Sequence, residues 1–184
     1  MVFQKDLKSI SEILETGTSQ EKIKILEDLE NTEDTEILKK IILRLNDDSI
    51  QIRGEAFSSL VLNKNKIENS LIESLESTNK NIRGFVSLVL ANRNDSIAIP
   101  KIMELVKDEH SMVRSCAIGA LRYLKAFEAE EEILQSLFDS SAEVKKSALQ
   151  AIVDLNFMIP EEKIQEISKN DDPEFKKILL ELKK

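Results

Sequence analysis

Apolar and polar residues along this chain follow a motif that returns about every 31 residues. The motif starts with an aliphatic residue and a basic residue, places a small apolar residue four positions on and ends on a large aliphatic residue eight positions on, as in I-R-G-E-A-F-S-S-L from Ile52. Apolar positions four residues apart share one face of an α-helix, so each copy predicts a helix, called helix B below. The copies start 31, 30, 31, 31 and 31 residues apart, at Glu21, Ile52, Ile82, Val113, Val144 and Phe175, and the first is divergent.

A second aliphatic segment precedes each copy of the motif. Its apolar residues are spaced like those of a helix of about three turns, called helix A. Between A and B lies a short polar turn such as residues 46–49, rich in the Asp, Asn and Ser that favour turns and helix caps. The pattern predicts six A–B repeats, at approximately 1–31, 32–63, 64–94, 95–126, 127–157 and 158–184.

One helical pair of this size cannot bury its apolar face alone, so the repeats are expected to stack into one domain over residues 1–184. The strongly acidic first helix B suits the end of such a stack. The last repeat keeps the apolar residues Phe175, Ile178, Leu179 and Leu182. They predict either a weak homodimer contact through the C-terminal end or an irregular cap on a monomer.

The motif resembles the short HEAT-like repeats of the phycobilin-lyase type, in which D-x-x-x-x-V-R-x-x-A-x-x-A-L recurs about every thirty residues. The resemblance covers essentially the whole chain. Only Asp47, Asp108 and Asp139 keep the acid five residues before the motif, and only Pro173 occupies a turn position where the family often has proline. The resemblance implies an all-α, right-handed α-solenoid of about six HEAT-like helix pairs.

The net charge of −8 is unevenly distributed along the chain, which is 41% hydrophobic and 33% charged. Residues 1–36 carry −6, residues 37–93 carry +3 and the remainder carries −5. This balance argues against a general nucleic-acid surface, which needs clustered Lys and Arg, although weak binding through the middle segment stays an alternative. No apolar run is long enough to predict a membrane span, and one cysteine fits a reducing compartment, so we predict a cytoplasmic protein.

The sequence contains no constellation typical of catalysis. With one histidine, His110, and one cysteine, Cys116, it lacks the ligands of a transition-metal site. This separates it from the deoxyhypusine hydroxylases, which hold two irons with repeated His-Glu pairs on similar repeats. The HEAT-like alkylpurine DNA glycosylases use a basic groove with aromatic side chains, which an acidic chain without tryptophan lacks. We expect no enzymatic activity, no cofactor and no metal, with Cys116 packing between repeats.

A basic residue follows the start of every motif copy, and we call this set the basic ladder. Six cations in register would suit phosphates or a row of carboxylates. We favour a structural role, in which each cation binds the A–B turn through the Asp or a carbonyl of its own or a neighbouring repeat. The members are Lys22, Arg53, Arg83, Arg114, Lys145 and Lys176.

The B helices also carry a charge-poor surface, the B-helix stripe, at positions two, six and nine after each motif start. In repeats two to four, one of these nine positions is charged, in a chain that is one-third charged. The stripe faces away from the core, on the side that is usually concave in HEAT-like solenoids. Charge depletion and glycines inside helices fit a partner interface, but they fit crowded packing between B helices equally well.

We therefore predict a non-catalytic protein–protein interaction scaffold or adaptor that binds a protein partner on this B-helix surface. The alternative is a ligand- or prosthetic-group-handling enzyme or regulatory subunit of the lyase-type HEAT family. The predicted partner-binding residues are Gly54, Ser58, Gly84, Leu88, Ser115 and Gly119, bordered by Arg53, Arg83, Arg114 and Arg122.

Overall fold

The computed structural model describes residues 7–167. The sixth helix B, predicted from Phe175, and the apolar end of the last repeat lie outside these residues. Helix is the only regular secondary structure between residues 7 and 167, which confirms the all-α prediction. Among the described helices, none is both long enough and apolar enough to cross a membrane.

The described residues form eleven α-helices. The odd-numbered helices are the predicted A helices and the even-numbered ones are the predicted B helices. Their bounds are α1 (Leu7–Thr16), α2 (Ser19–Asp28), α3 (Thr35–Leu43), α4 (Ile50–Leu62), α5 (Glu68–Ser74), α6 (Lys80–Asn92), α7 (Ile99–Leu105), α8 (Ser111–Tyr123), α9 (Glu130–Gln135), α10 (Ala142–Leu155) and α11 (Glu161–Ile167). Short 3-10 turns adjoin α3, α7 and both ends of α9.

Helix contacts group the chain into two compact units, an N-terminal unit ending at Ala98 and a C-terminal unit beginning at Ile99. In the N-terminal unit, α2 packs on α4 and α4 on α6, while α1 packs on α3 and α3 on α5. In the C-terminal unit, α7 and α10 both pack on α8, and α9 packs on α10. Within each unit, B helices therefore stack on B helices, as stacked repeats require. The number of repeats, the single domain and the hand of the superhelix stay predictions.

The core follows the predicted register of helix B. In α4, α6, α8 and α10, the first, fifth and ninth residues of the motif are at most 4% exposed. Ala56, Ala117 and Ala148 occupy the small fifth position, where neighbouring helices approach closely. The full set is Ile52, Ala56 and Leu60; Ile82, Val86 and Leu90; Val113, Ala117 and Leu121; Val144, Ala148 and Ile152.

The glutamate that starts the divergent first copy of the motif has a different task. Glu21 is exposed and lies in the first turn of α2, where its carboxylate accepts a 2.8 Å hydrogen bond from the backbone N–H of Thr18. The Thr18 hydroxyl in turn accepts from the backbone N–H of Glu21 at 3.3 Å, which completes a capping box. Ile25 and Leu26 then supply the buried face of α2.

Three B helices end in the same way. Asn94, Lys125 and Asn156 are 31 residues apart and have left-handed backbone, with φ of 58°, 54° and 56°. After each, an amide N–H closes the helix end by donating to a carbonyl five residues back, as Ala126 does to Leu121 at 3.0 Å. The motif therefore fixes the exit of helix B as well as its core.

Replacing Lys125 with glycine should raise the free energy of unfolding by about 1 kcal/mol, because a side chain in left-handed backbone costs that much and glycine does not. Lys125 is exposed, so its side chain leaves no cavity. Urea unfolding followed by circular dichroism measures the change. Lys125→Ala, which keeps the backbone cost, is the control and should give no gain; equal gains from both variants would contradict the explanation.

Candidate partner-binding surface

The three arginines of the basic ladder bind the A–B turns, as predicted, whereas Lys176 lies outside the described residues. Each arginine donates from Nη1 to a carbonyl of the turn of its own repeat: Arg53 to Asp47 at 2.7 Å, Arg83 to Ser77 at 2.8 Å and Arg114 to Asp108 at 2.8 Å. The carbonyls stand six residues before the arginines, so the repeat period reproduces the contact. The three guanidinium groups thereby stabilise the turns.

The acid five residues before the motif shapes the same turn. Oδ1 of Asp47, Asp108 and Asp139 accepts a hydrogen bond from the backbone N–H two residues on, at 3.0, 2.8 and 2.7 Å. This is the local side-chain to backbone turn that Asp favours. In repeat three the hydroxyl of Ser77 accepts from Asn79 N–H at 3.2 Å, which explains how the repeat tolerates the missing acid.

The ladder also connects successive repeats within each unit. Arg114 donates from Nε and Nη2 to the two carboxylate oxygens of Asp139 in the next repeat, both at 2.7 Å. Lys22 lies 3.7 Å from the carboxylate of Asp47, which is also in the next repeat. The acid and the cation that pair thus come from neighbouring repeats, whereas their fixed spacing in the sequence suggested one repeat. Burial raises the pKa of the Asp139 carboxyl, but the Arg114 hydrogen bonds, the Ser141 N–H and the charges of Arg114 and Lys145 outweigh it and leave the pKa below its usual value.

In the N-terminal unit, the predicted stripe residues differ in exposure. Gly54 and Ser58 are exposed on α4. On α6, Gly84 is buried and Leu88 is half-buried, and the neighbouring Arg83 is only 8% exposed. The structure therefore presents the α4 part of the stripe to solvent and removes Gly84 from it.

In the C-terminal unit, the predicted stripe residues are half-buried. Ser115 on α8 shares a 2.8 Å hydroxyl hydrogen bond with Ser147 on α10. Arg122 forms a 3.3 Å ion pair with Asp154 across the same two helices. Polar members of the stripe thus join α8 to α10, and Gly119 lies on α8 between them.

Comparison with known families identifies the repeats. A family profile described as HEAT repeats matches residues 67–153, and a second, described as a HEAT repeat associated with sister chromatid cohesion, matches residues 31–54. The chain is a HEAT-like repeat protein. Neither profile is specific to phycobilin lyases, so that narrower resemblance stays a prediction. No functionally curated protein matches the chain.

Solved repeat structures share the fold of this HEAT-like chain. A computationally designed armadillo repeat protein for modular peptide recognition has a TM-score of 0.56 at 17% identity, covering 95% of this chain and 97% of that one. The MAST/Orbit N-terminal domain has a TM-score of 0.55 at 13% identity, with 97% and 98% covered. A structure concerned with TOG–tubulin binding specificity has 0.55 at 19%, with 95% and 80% covered. At these identities the likeness shows the α-solenoid fold alone.

Gly54 separates the two explanations of the stripe in the HEAT repeats. A Cβ added at Gly54 meets no atom within 4 Å, so crowding between B helices does not require glycine there. Gly84 is buried, as the crowding explanation expects. The small residues of the stripe therefore have different causes in α4 and α6, and only α4 offers open space over a glycine in the N-terminal unit.

Replacing Gly54 with alanine should raise the free energy of unfolding by about 0.5 to 1 kcal/mol, because alanine loses less backbone entropy inside a helix. Gly17→Ala is the matched comparison and should destabilise, because its Cβ would lie 2.5 Å from the Ile13 carbonyl oxygen, which accepts the Gly17 N–H at 2.9 Å. Chemical denaturation gives both values. Destabilisation by both changes would show that the space over Gly54 is not open.

The sequence motif did not predict two exposed aliphatic residues of the HEAT repeats. Ile50 and Leu62, at the two ends of α4, are 75% and 59% exposed. The motif predicts only the residues on the buried face of α4, which are Ile52, Ala56 and Leu60. The detectable signal was that I-Q-I-R-G-E-A-F-S-S-L-V-L is apolar on both faces of the helix.

The two groups of the HEAT repeats with the most reactive side chains, Cys116 and His110, both contact neighbouring side chains of the fold. Burial, with a smaller contribution from the charge of Glu143, raises the pKa of the Cys116 thiol to about 11, so the thiol stays protonated near neutral pH. Its sulfur lies 3.6 Å from that of Met112. His110 Nδ1 lies 3.5 Å from the carboxylate of Asp108 in the A–B turn. Between residues 7 and 167, no three His, Cys, Asp or Glu side chains group as metal ligands.

Proposed function

We propose that this protein is a non-catalytic scaffold or adaptor that binds a protein partner on the surface of its B helices. The observation that carries the proposal is the solvent-facing side of α4, where Gly54 and Ser58 lie between the exposed Ile50 and Leu62. The residues that pack this 13-residue helix into the core all lie on its other face, so the solvent-facing side has no role in packing. Two exposed aliphatic side chains that border a charge-poor stretch on this face are the basis for proposing it as the interaction surface.

The fold supports the same class of function. HEAT and armadillo solenoids are typical of protein-interaction scaffolds, and one structural neighbour was designed for modular peptide recognition while another concerns TOG–tubulin binding. In the N-terminal unit the proposed surface extends from α4 to Leu88 on α6. In the C-terminal unit, Ser115, Gly119 and Arg122 on α8 are proposed as partner-binding residues in their own right. A cytoplasmic location is part of the proposal.

A larger side chain at the centre of the α4 face tests the function. Ser58→Glu alters an exposed side chain, so the fold should stay intact while recovery of the partner from native lysate falls about tenfold, because the longer side chain blocks close approach by the partner. Recovery is measured by affinity capture with quantitative mass spectrometry. Asn69→Glu, on the exposed surface of helix A α5, is the matched control and should leave recovery unchanged.

Equal recovery with wild type, Ser58→Glu and Asn69→Glu would remove the α4 face from the proposal. Leu88→Glu, tested in the same way with helicity measured by circular dichroism, examines the neighbouring helix. A purified protein that shows visible absorption, or melts higher with an added small ligand, would favour the ligand-handling alternative.

A further inference from the structure

The outward face of α4 has a definite shape. Ile50 and Leu62 stand at its two ends, and Gly54 and Ser58 form a low stretch between them. Twelve residue steps along an α-helix span about 18 Å. The face therefore offers two apolar contacts about three turns apart with room for close backbone approach in the middle, where a Cβ on Gly54 would meet nothing within 4 Å.

One long edge of this face is lined by carboxylates. Glu55 is on α4 itself, Glu27 is on α2, and Glu30 lies in the turn that follows α2, where its carboxylate accepts a 3.3 Å hydrogen bond from the Asn31 amide. The two helices are held together along this edge by the Ser59 hydroxyl, which donates to the Leu26 carbonyl at 3.1 Å. Burial, together with the charges of Glu27 and Glu30, raises the pKa of the Glu55 carboxyl.

These three carboxylates form no ion pair with any residue that the structure describes. Some acids of the same unit do have a counter-charge, such as Asp47 with Lys22 and Arg44, and Asp95 with Arg93. Like charges without a counter-charge repel one another and oppose folding. A partner that brings cations to this edge would remove the repulsion.

Resting on the proposed scaffold function, we propose that the α4 face binds a basic amphipathic helix of a partner protein. Its apolar side lies between Ile50 and Leu62, its backbone passes closest over Gly54, and its Lys or Arg side chains reach Glu55 and Glu27. The length of the face suits a helix of about twelve to fourteen residues.

The structure favours this occupant over two others. An extended strand gains affinity from free backbone groups at a sheet edge, and an α-helix offers none along its length. A second copy of this chain whose α4 runs antiparallel to this one in a two-fold contact would place the same carboxylates opposite one another, which is repulsive. A basic helix satisfies both the apolar ends and the acidic edge.

Fluorescence anisotropy with a synthetic probe tests the proposal on the full-length protein. The probe is a labelled 14-residue peptide with leucine at helix positions i, i+3, i+4 and i+7 and lysine elsewhere, and the controls are the same residues in shuffled order and a version with glutamate in place of lysine. We expect the leucine–lysine peptide to bind at least about tenfold more tightly than either control. Equal binding of the shuffled peptide would overturn the proposal, since it would show attraction by charge alone.

Variants of the protein locate the site. Combined Glu27→Gln, Glu30→Gln and Glu55→Gln should weaken peptide binding about tenfold, and Leu62→Ser should weaken it about threefold or more. Combined Glu128→Gln, Glu130→Gln and Glu131→Gln changes the net charge equally, at exposed carboxylates of the C-terminal unit, and should change binding less than about twofold. Equal losses from the two triple variants would contradict the assignment.

Glu55→Gln alone distinguishes a binding role from a structural one. Because the folded state raises its pKa, the ionised carboxylate opposes folding once the pH exceeds that pKa. The variant should therefore be more stable than wild type near neutral pH, with the gain lost as the pH falls through the ordinary glutamate range, yet it should bind the peptide more weakly. A variant that is more stable and binds equally well would overturn the proposal.

Sedimentation velocity and partner capture cover the remaining outcomes. A wild-type dimer that Leu62→Ser converts to monomer would assign the face to a second copy and overturn the proposal. If Ser58→Glu abolishes capture of a native partner while the Glu27, Glu30 and Glu55 variant captures it normally, the scaffold function stands and the basic-helix occupant fails. If Ser58→Glu captures the partner normally, the α4 part of the proposed function fails as well.

Discussion

Replacing Arg114 with alanine is expected to lower the free energy of unfolding by about 3 kcal/mol, because a partly buried carboxylate loses its counter-charge and a turn loses its donor. Arg114 binds both oxygens of Asp139 at 2.7 Å and the carbonyls of Asp108 and Glu109 at 2.8 and 3.2 Å. The charge of Lys145 and the Ser141 N–H also act on Asp139, but among the described residues no other side chain is seen to donate to its carboxylate. Urea unfolding followed by circular dichroism measures the loss.

The difference in the free energy of unfolding between wild type and Arg114→Ala should become smaller as the pH falls. The pKa of Asp139 is lowered in the folded state, so the ion pair contributes fully above the ordinary aspartate pKa and loses its contribution as the pH falls through the lower, folded value. The two stability curves should run parallel from about pH 5 to 8 and approach each other below about pH 4, leaving the part of the difference that comes from the turn carbonyls. A difference that stays constant down to pH 2 would show that the loss is packing and not charge.

Two further variants separate charge from geometry in the same pair. Arg114→Lys keeps the charge but cannot bind both carboxylate oxygens, so it should recover less than half of the lost stability. A double-mutant cycle with Asp139→Asn should give a coupling of about 2 kcal/mol. A coupling near zero would contradict the inter-repeat ion pair.

The core register could be predicted from sequence because it is a local property of helix B. A residue and its neighbours four and eight places on face the same way whatever lies opposite, so Val113, Ala117 and Leu121 could be assigned to the core without a partner helix. The basic ladder was predictable for the same reason, since Arg53 reaches carbonyls five and six residues away in its own repeat. Both depend on spacing within one repeat.

Features that depend on the neighbouring repeat could not be predicted in this way. Gly54 and Gly84 occupy the same motif position, yet one is exposed and the other is buried. The ion pair of Arg114 with Asp139 joins residues 25 positions apart in different repeats. Spacing within the motif says nothing about how closely the next helix approaches, so exposure and inter-repeat pairing appear only in the structure.

The candidate site could likewise be predicted from the sequence only in part. The charge-poor stripe that includes Gly54 and Ser58 can be predicted from the sequence, but Ile50 and Leu62 beside it lie outside motif positions two, six and nine, which define the stripe. In the sequence, the acidic residues of the first helix B indicate only the end of the stack of repeats. Their position along α4 follows from contacts such as that of Ser59 with Leu26, which no periodicity encodes.

Arg93 is the second residue whose loss should have a large effect, and it belongs to no predicted motif position. It follows α6, its side chain is 9% exposed, and it pairs with Asp95 at 2.8 Å. Its guanidinium also donates to carbonyls at the end of α4, to Leu60 at 3.2 Å, to Asn65 at 3.0 Å and to Asn63. Repeat two lacks the left-handed helix end found at residues 94, 125 and 156, so this arginine satisfies its carbonyls instead.

Arg93→Ala should therefore destabilise the protein by about 3 kcal/mol, because it leaves several part-buried carbonyls and one carboxylate without a donor. Arg122→Ala is the matched control, since it removes an ion pair with Asp154 in which both side chains are more than one-third exposed, and it should cost less than about 1 kcal/mol. Hydrogen exchange shows where the effect lies. In Arg93→Ala, the exchange rate relative to wild type should increase more for amides at the end of α4 and in residues 63–67 than for amides of α10. Equal destabilisation by the two variants, or faster exchange spread evenly over the chain, would show that Arg93 does not hold the end of α4.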